Sequence, residues 1–276
     1  MSNTATVLAF DFGASSGRAI RAVYDGQNLT YEEIHRFENV PIEKDGHLCW
    51  DVETLLKEIH TAIQKAGTFD SLGFDTWGVD FGLLDADGHL LANPVHYRDA
   101  RTNGKPEQAA ARMPAEELYA HTGNQIMAIN TLFQLLALRE QDPELLQKAE
   151  QILFMPDLFA ALLGAEPVCE RSIASTSQML DPRTGQWSRE VLTAYGLKEN
   201  HFAPLVASGT VTGTLTTGAK IIAVAGHDTQ CASAAMPCAE EDAEHTAFLS
   251  CGTWSLLGTE LDAPILTADS CQSGLS

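Results

Sequence analysis

The order of apolar and polar positions along the chain predicts alternating strands and helices. Residues 5–12, Ala-Thr-Val-Leu-Ala-Phe-Asp-Phe, read as an apolar strand ending on an aspartate. Gly13 to Gly17 is a small-residue turn, and Arg18 to Val23 reads as a second strand. Asp25-Gly26 then reverses the chain into a third strand near Leu29 to Phe37, Asp-Gly between strands being a hairpin signal. From Asp51 to Ala66 the period changes. Val52, Leu55, Leu56, Ile59 and Ile63 fall on one helical face, with Asp51 as N-cap and Gly67 as stop. Leu72 to Thr76 is the next strand, and Asp87-Gly88 predicts a hairpin between Val79–Leu84 and His89–Ala92. Helical stretches follow at 114–122, 131–141, 143–148, 156–163 and 188–195, then a short strand at 221–225 and a small-residue helix from Thr229 to Ala235.

Three antiparallel strands followed by strands alternating with helices predict an α/β fold, a mixed sheet flanked by helices, compatible with the ribonuclease-H-like domain that actin-like ATPases use twice. A weak internal echo supports the doubling. Residues 246–258, Thr-Ala-Phe-Leu-Ser-Cys-Gly-Thr-Trp-Ser-Leu-Leu-Gly, repeat the strand, glycine-containing turn, strand order of residues 6–19. The expected organisation is a first domain over 1–240, an acidic boundary at Glu240-Glu241-Asp242, and the opening hairpin of a second domain over 245–276. About thirty residues is too few for a domain, so the chain reads as cut short.

Charge and cysteine content narrow the function classes. The 276 residues carry 37 acidic and 17 basic side chains, a formal charge of −20. That argues against nucleic-acid or anionic-membrane partners, which need basic patches. It leaves room for a small anionic ligand, because a few amides, a metal ion and one arginine reverse the sign locally. The six cysteines are scattered and lack zinc-ligand spacing, and the N-terminus has no signal-peptide pattern. Both fit a cytoplasmic protein with reduced thiols. The longest apolar run, 152–164, is broken by Pro156 and Asp157 and is too short to span a membrane.

Five strings could carry chemistry, each with a plainer reading beside it. In Asp11-Phe-Gly-Ala-Ser-Ser-Gly-Arg18, small residues would let main-chain amides approach a phosphate and Asp11 could hold Mg²⁺ through water, or the string is an ordinary hairpin. It is neither a Walker loop nor a dinucleotide fingerprint. In Asp75-Thr-Trp-Gly-Val-Asp-Phe81, Trp77 and Phe81 could stack on a sugar while Gly78 admits a ligand to the main chain, or the string is a buried aromatic strand end. Tyr97-Arg-Asp-Ala-Arg-Thr102 could bind hydroxyls or phosphate, or form surface ion pairs. In Gly226-His-Asp-Thr229 a strand delivers Asp228 to a turn, where it could take a proton from a hydroxyl attacking phosphorus. His227 could orient that hydroxyl, or the string simply caps a helix. Gly252-Thr-Trp-Ser255 could grip phosphates from the other side, or be a plain turn.

Individually weak, these strings resemble, in their order, the FGGY carbohydrate kinases, and within them the kinases of L-rhamnulose. Glu33-Ile-His-Arg-Phe37, Asn130-Thr-Leu132 and Met155-Pro-Asp157 join them in that resemblance. It implies that Ala14, Ser15, Ser16, Gly17 and Arg18 form an ATP-phosphate loop and that Thr253 contacts ATP. It also implies that Gly78, His227, Asp228 and Thr229 bind sugar, with Asp228 as proton acceptor. The implied reaction passes the γ-phosphoryl group of ATP to the C1 hydroxyl of L-rhamnulose, with Mg²⁺. Another ketose or polyol kinase of the family (xylulose, ribulose, fuculose or glycerol), and a non-catalytic sugar-binding remnant, remain alternatives.

Overall fold

The computed structural model describes residues 4–239, 242, 245–251 and 255–276. Its centre is a six-stranded sheet built from β1 (Ala5–Phe12), β2 (Ser16–Tyr24), β3 (Leu29–Glu38), β4 (Ser71–Thr76), β7 (Thr210–Thr214) and β8 (Lys220–Ala223). The spatial order is β7-β8-β4-β1-β2-β3. The two outer hairpins are antiparallel and the inner pairs β1/β4 and β4/β8 are parallel. The expected mixed sheet is therefore present, with the parallel strands at its centre.

Alternation along β1 gives the sheet two unlike faces. Leu8, Phe10 and Phe12 are fully buried, whereas Ala9 is exposed and Asp11 is half-buried. The buried face meets helix α4 (Met155–Leu162), where Phe159 stacks on Phe12 at 4.8 Å between ring centres, and Phe10 stacks on Phe74 at 4.9 Å. Helix α1 (Val52–Ala66) packs on β2 and β3 through Val52, Leu55, Ile59, Ala62 and Ala66. Its start is fixed as expected: the Asp51 side chain accepts from Thr54 N, and Gly67 follows the last turn at φ 67°.

The Asp25-Gly26 turn forms, with Asp25 Oδ1 accepting from the amides of Gln27 and Asn28. The Asp87-Gly88 turn also forms, but its second arm does not become a strand. Strand β5 (Phe81–Leu84) pairs instead with β6 (Gln151–Phe154), antiparallel, and His89–Ala92 contributes only a bridge from Leu90 to Leu84. The apolar run at 152–164 thus divides into a strand and helix α4 with no turn between them. Further helices are α2 (Ala115–Thr122), α3 (Thr131–Gln141), α5 (Arg171–Ser175), α6 (Asp228–Ala234) and α7 (Ala268–Gln272). The expected second hairpin is present as β9 (Ala247–Cys251) paired with β10 (Ser255–Thr259). Among the described residues no helix is long and apolar enough to cross a membrane, and all six cysteines are free.

Gly17 shows why a small residue opens β2. A Cβ built there would lie 2.3 Å from the ring of Phe37, whose edge meets Phe12 in the core. Gly17→Ala is expected to cost about 1–3 kcal/mol through overpacking. The check is the midpoint of a urea melt at unchanged slope.

Candidate active site at the ends of the parallel strands

Strand register puts charged side chains in one row on the open face of the sheet. Arg36 lies opposite Arg18, Arg18 opposite Asp11, and Asp11 beside Asp75, across β3, β2, β1 and β4. Arg18 donates to Asp11 Oδ2 from Nε at 2.8 Å and from Nη2 at 2.5 Å. Arg36 is held by Glu33 in a two-pronged pair. The turn before this row is short. Gly13 N donates to Ser16 O, and Asn39 ties down the turn from its amide to Ser15 O and from Nδ2 to Gly13 O. Only Ala14 and Ser15 of the expected phosphate loop lie in the turn; Ser16, Gly17 and Arg18 already belong to β2.

The turn 226–229 reaches the same row from β8. Thr76 N donates to Gly226 O, and Thr76 bridges to His227. Helix α6 starts here and brings Cys231 beside Asp75, whose charge, after burial, helps push the thiol up to about 11. Asp228 Oδ1 accepts from Thr229 N at 2.6 Å and from Thr229 Oγ1 at 3.2 Å, and lies 3.5 Å from His227 Nε2. The N-cap position is His227 and carries no side-chain cap bond, so the plainer reading of Asp228 or Thr229 as the cap does not hold. The other oxygen of Asp228, Oδ2, has no partner among the described residues, and the side chain is 41% exposed. His227 is mostly buried and its Nδ1 has no hydrogen-bond partner among the described residues. Burial lowers its pKa, against the pull of Asp228 and Glu170.

Asp75 is the residue most perturbed by this convergence. Burial first, then the carboxylates of Asp11 and Asp228, push it up to about 8, with Arg18 opposing. The folded chain therefore keeps a proton on Asp75 up to about pH 8, while an unfolded aspartate releases it near pH ~4. Between these limits the folded state binds more protons, so this group makes stability fall as pH rises. Asp75→Asn is expected to match the wild type near pH 4. Its advantage should grow through the window to on the order of 2–4 kcal/mol above pH ~8, discounted for partial exposure. Urea melts at four pH values check this; a flat difference would sink it.

The neighbouring segment 77–81 serves mainly to build the floor of the site. Trp77 and Phe81 do not offer faces to a ligand. Trp77 is buried against Trp50 at 4.0 Å with its indole N–H on Asp80, and Phe81 lies in the core. Gly78 is half-buried, and the space a Cβ would occupy meets Thr176 Cγ2 at 3.0 Å. Val79 takes φ 68°, held by Thr176 Oγ1 on its amide and by Thr131 Oγ1 on its carbonyl. In the 97–102 string, Asp99 accepts from the amides of Leu48 and Arg101 and pairs with His47, and Arg101 donates to Gln134. Of its charged residues Arg98 alone is exposed, over the Tyr97 ring at 5.2 Å. His96, stacked on Trp50, is pushed down to about 4 by burial, and its Nδ1 accepts from Arg98 N. Thr253 and the turn around it lie outside the described residues.

These features match a known family. Residues 6–234 match the N-terminal domain of the FGGY family of carbohydrate kinases. The chain belongs to that family. It is 42% identical over 275 residues to the rhamnulokinase of Bacteroides thetaiotaomicron, a match covering 95% of this chain and 56% of the relative. Among solved structures, a carbohydrate kinase from Novosphingobium aromaticivorans superposes with a TM-score of 0.74 at 22% identity, over 97% of this chain and 58% of that one. Gluconate kinase from Lactobacillus acidophilus gives 0.71 at 17% identity, over 82% and 48%. The fold is thus the ribonuclease-H-like unit of the actin-like ATPases, and the chain spans about half the length of the relatives it matches.

Proposed function

We propose that this chain carries the sugar- and phosphate-binding part of an ATP-dependent kinase that phosphorylates L-rhamnulose at its C1 hydroxyl. The observation that carries the proposal is the meeting of Asp228, with one oxygen uncommitted, and the row Arg18, Asp11 and Asp75 at the ends of β1 and β4. Strand ends of this kind are where α/β sheets bind ligands. Family membership supports the reaction class, and the 42% identical rhamnulokinase supports the sugar. Residues 1–240 form the proposed first domain and 245–276 the opening of a second.

In this reading, sugar lies against Gly78, His227, Asp228 and Thr229. Asp228 takes the proton of the C1 hydroxyl as that oxygen bonds to the γ-phosphorus, and the bond from phosphorus to the β–γ bridging oxygen breaks, releasing ADP. His227 is kept neutral by burial and orients the hydroxyl. The turn amides of Ala14 and Ser15, with Ser16, Gly17 and Arg18, face the phosphates, and Thr253 is assigned an ATP contact. Asp11 offers Mg²⁺ an oxygen donor, its Oδ1 not being the oxygen that Arg18 holds, and would hold it through water. Mg²⁺ would neutralise charge on the phosphates.

The test is ADP release with a panel of L-rhamnulose, xylulose, ribulose, fuculose and glycerol, together with calorimetry for each sugar. Preference for another sugar overturns the substrate. In a version that carries both halves, binding of L-rhamnulose without transfer under saturating ATP and Mg²⁺ overturns the kinase reading in favour of a sugar-binding protein.

A further inference from the structure

Glu170 is a buried carboxylate in which three separate segments meet. It is 1% exposed. Its Oε2 accepts from Ser172 N at 2.9 Å, Ser172 Oγ at 2.6 Å, Ile173 N at 3.2 Å and Gly226 N at 3.1 Å. Its Oε1 accepts from Ser208 Oγ at 2.6 Å. The bonds to Ser172 and Ile173 are an ordinary cap for α5. The bond to Gly226, 56 residues away in sequence, is not part of any cap. Ser172 extends it, because its Oγ accepts from His227 N at 3.3 Å while donating to Glu170. Both amides that lead into Asp228 therefore end, directly or through one hydroxyl, on this carboxylate. From the other side Glu170 is fixed by its own amide, which donates to the buried Asp157.

We infer that Glu170, with Ser172 as its relay, is a positioning residue that sets the backbone of the His227–Asp228 turn for the reacting sugar; this rests on the kinase reading above. A charged acceptor is suited to the task. Hydrogen bonds to an ionised group are stronger than neutral ones, and leaving buried amides unpaired costs more still. A turn held this way presents Asp228 Oδ2 without rearrangement when substrate arrives, which is how positioning contributes to rate.

Amide hydrogen exchange on the full chain, read at Gly226 and His227 with and without L-rhamnulose, tests the inference alongside calorimetry. Glu170→Ala is expected to speed exchange at both amides by about 10- to 100-fold and to weaken sugar binding by about tenfold or more. Glu170→Gln should recover most of both, short of wild type because the charge is lost. Its carbonyl can take the four-donor position while its NH₂ turns to the Ser208 hydroxyl, which can accept. Ser172→Ala keeps Glu170 and should loosen His227 while leaving Gly226 protected. If Glu170→Ala does not fold, Ser172→Ala decides alone. Unchanged exchange at His227 in Ser172→Ala, or at Gly226 in a folded Glu170→Ala, overturns the inference, as does a Glu170→Gln no better than Ala. If exchange responds as expected and no variant, wild type included, binds sugar, the kinase reading fails and the positioning role stands.

Discussion

In a version that carries both halves of the proposed kinase, Asp228→Asn is expected to lower phosphoryl transfer by about 10²–10⁴-fold, the range for loss of a general base, while sugar affinity stays within about threefold. The geometry decides which way the new amide lies. Oδ1 is fixed by Thr229 N and Oγ1, so the asparagine carbonyl must take that place. Its NH₂ then falls where Asp228 has its uncommitted oxygen. There it can donate to the sugar hydroxyl but cannot accept the proton that hydroxyl loses. Binding survives because a hydrogen bond of reversed sense remains, and transfer suffers because the proton has no acceptor. A steady-state comparison with saturating ATP separates the two parameters. An Asp228→Asn protein that retains near-normal turnover would remove Asp228 from the chemistry. Equal losses in affinity and rate would instead make it a binding residue only.

Much of this was legible along the chain where the signal is local. Asp51 announces α1 and caps it, Asp25-Gly26 announces a hairpin and makes one, and residues 5–12 alternate as a half-buried strand must. The misreadings have a common cause. β6 and α4 follow one another without a turn, so a single apolar run conceals a change of period at Met155. β5 pairs with that concealed strand across nearly seventy residues, which the nearby Asp-Gly turn could not reveal. The site divides in the same way. Asp11, Arg18 and Asp228 sit in strings that local chemistry makes conspicuous. Glu170, Thr176 and the row position of Arg36 gain meaning only from register and from contacts to distant turns. The aromatic residues Trp77 and Phe81 misled for the opposite reason: beside a site, a large ring is as useful for building a rigid floor as for touching a ligand.

Asp80→Ala is expected to be the most destabilising single change in that floor. Asp80 is 1% exposed and accepts from four buried donors. Trp50 Nε1 at 2.7 Å, Trp77 Nε1 at 3.0 Å and Tyr97 N at 3.1 Å share Oδ2, and Gln134 Nε2 reaches Oδ1 at 2.8 Å. Alanine leaves the Trp50, Trp77 and Tyr97 donors without an acceptor, at about 1–3 kcal/mol each if none finds another partner, while Gln134 Nε2 keeps its bond to Ile129 O at 2.8 Å. A loss on the order of 4 kcal/mol or more follows, a large part of a typical domain's stability. Asp80→Asn should cost less. Its carbonyl can serve the three donors on Oδ2, but its NH₂ then faces Gln134 Nε2. Gln134 can turn its oxygen inward only by releasing Arg101 Nη2, whose neighbour Nε is already buried without a partner. Burial pushes the Asp80 carboxyl up to about 6 against the pull of these donors, while the unfolded side chain titrates near ~4. The wild type therefore loses some stability from this group as pH rises between those values, and the asparagine variant does not. Its deficit should be largest near pH 4 and smaller above pH ~6. Urea melts followed by tryptophan fluorescence, to which Trp50 and Trp77, 4.0 Å apart, contribute, read the loss. An alanine variant within about 1 kcal/mol of wild type would mean that these donors find other partners, and that the segment leading to Gly78 is held by the Val79 contacts alone.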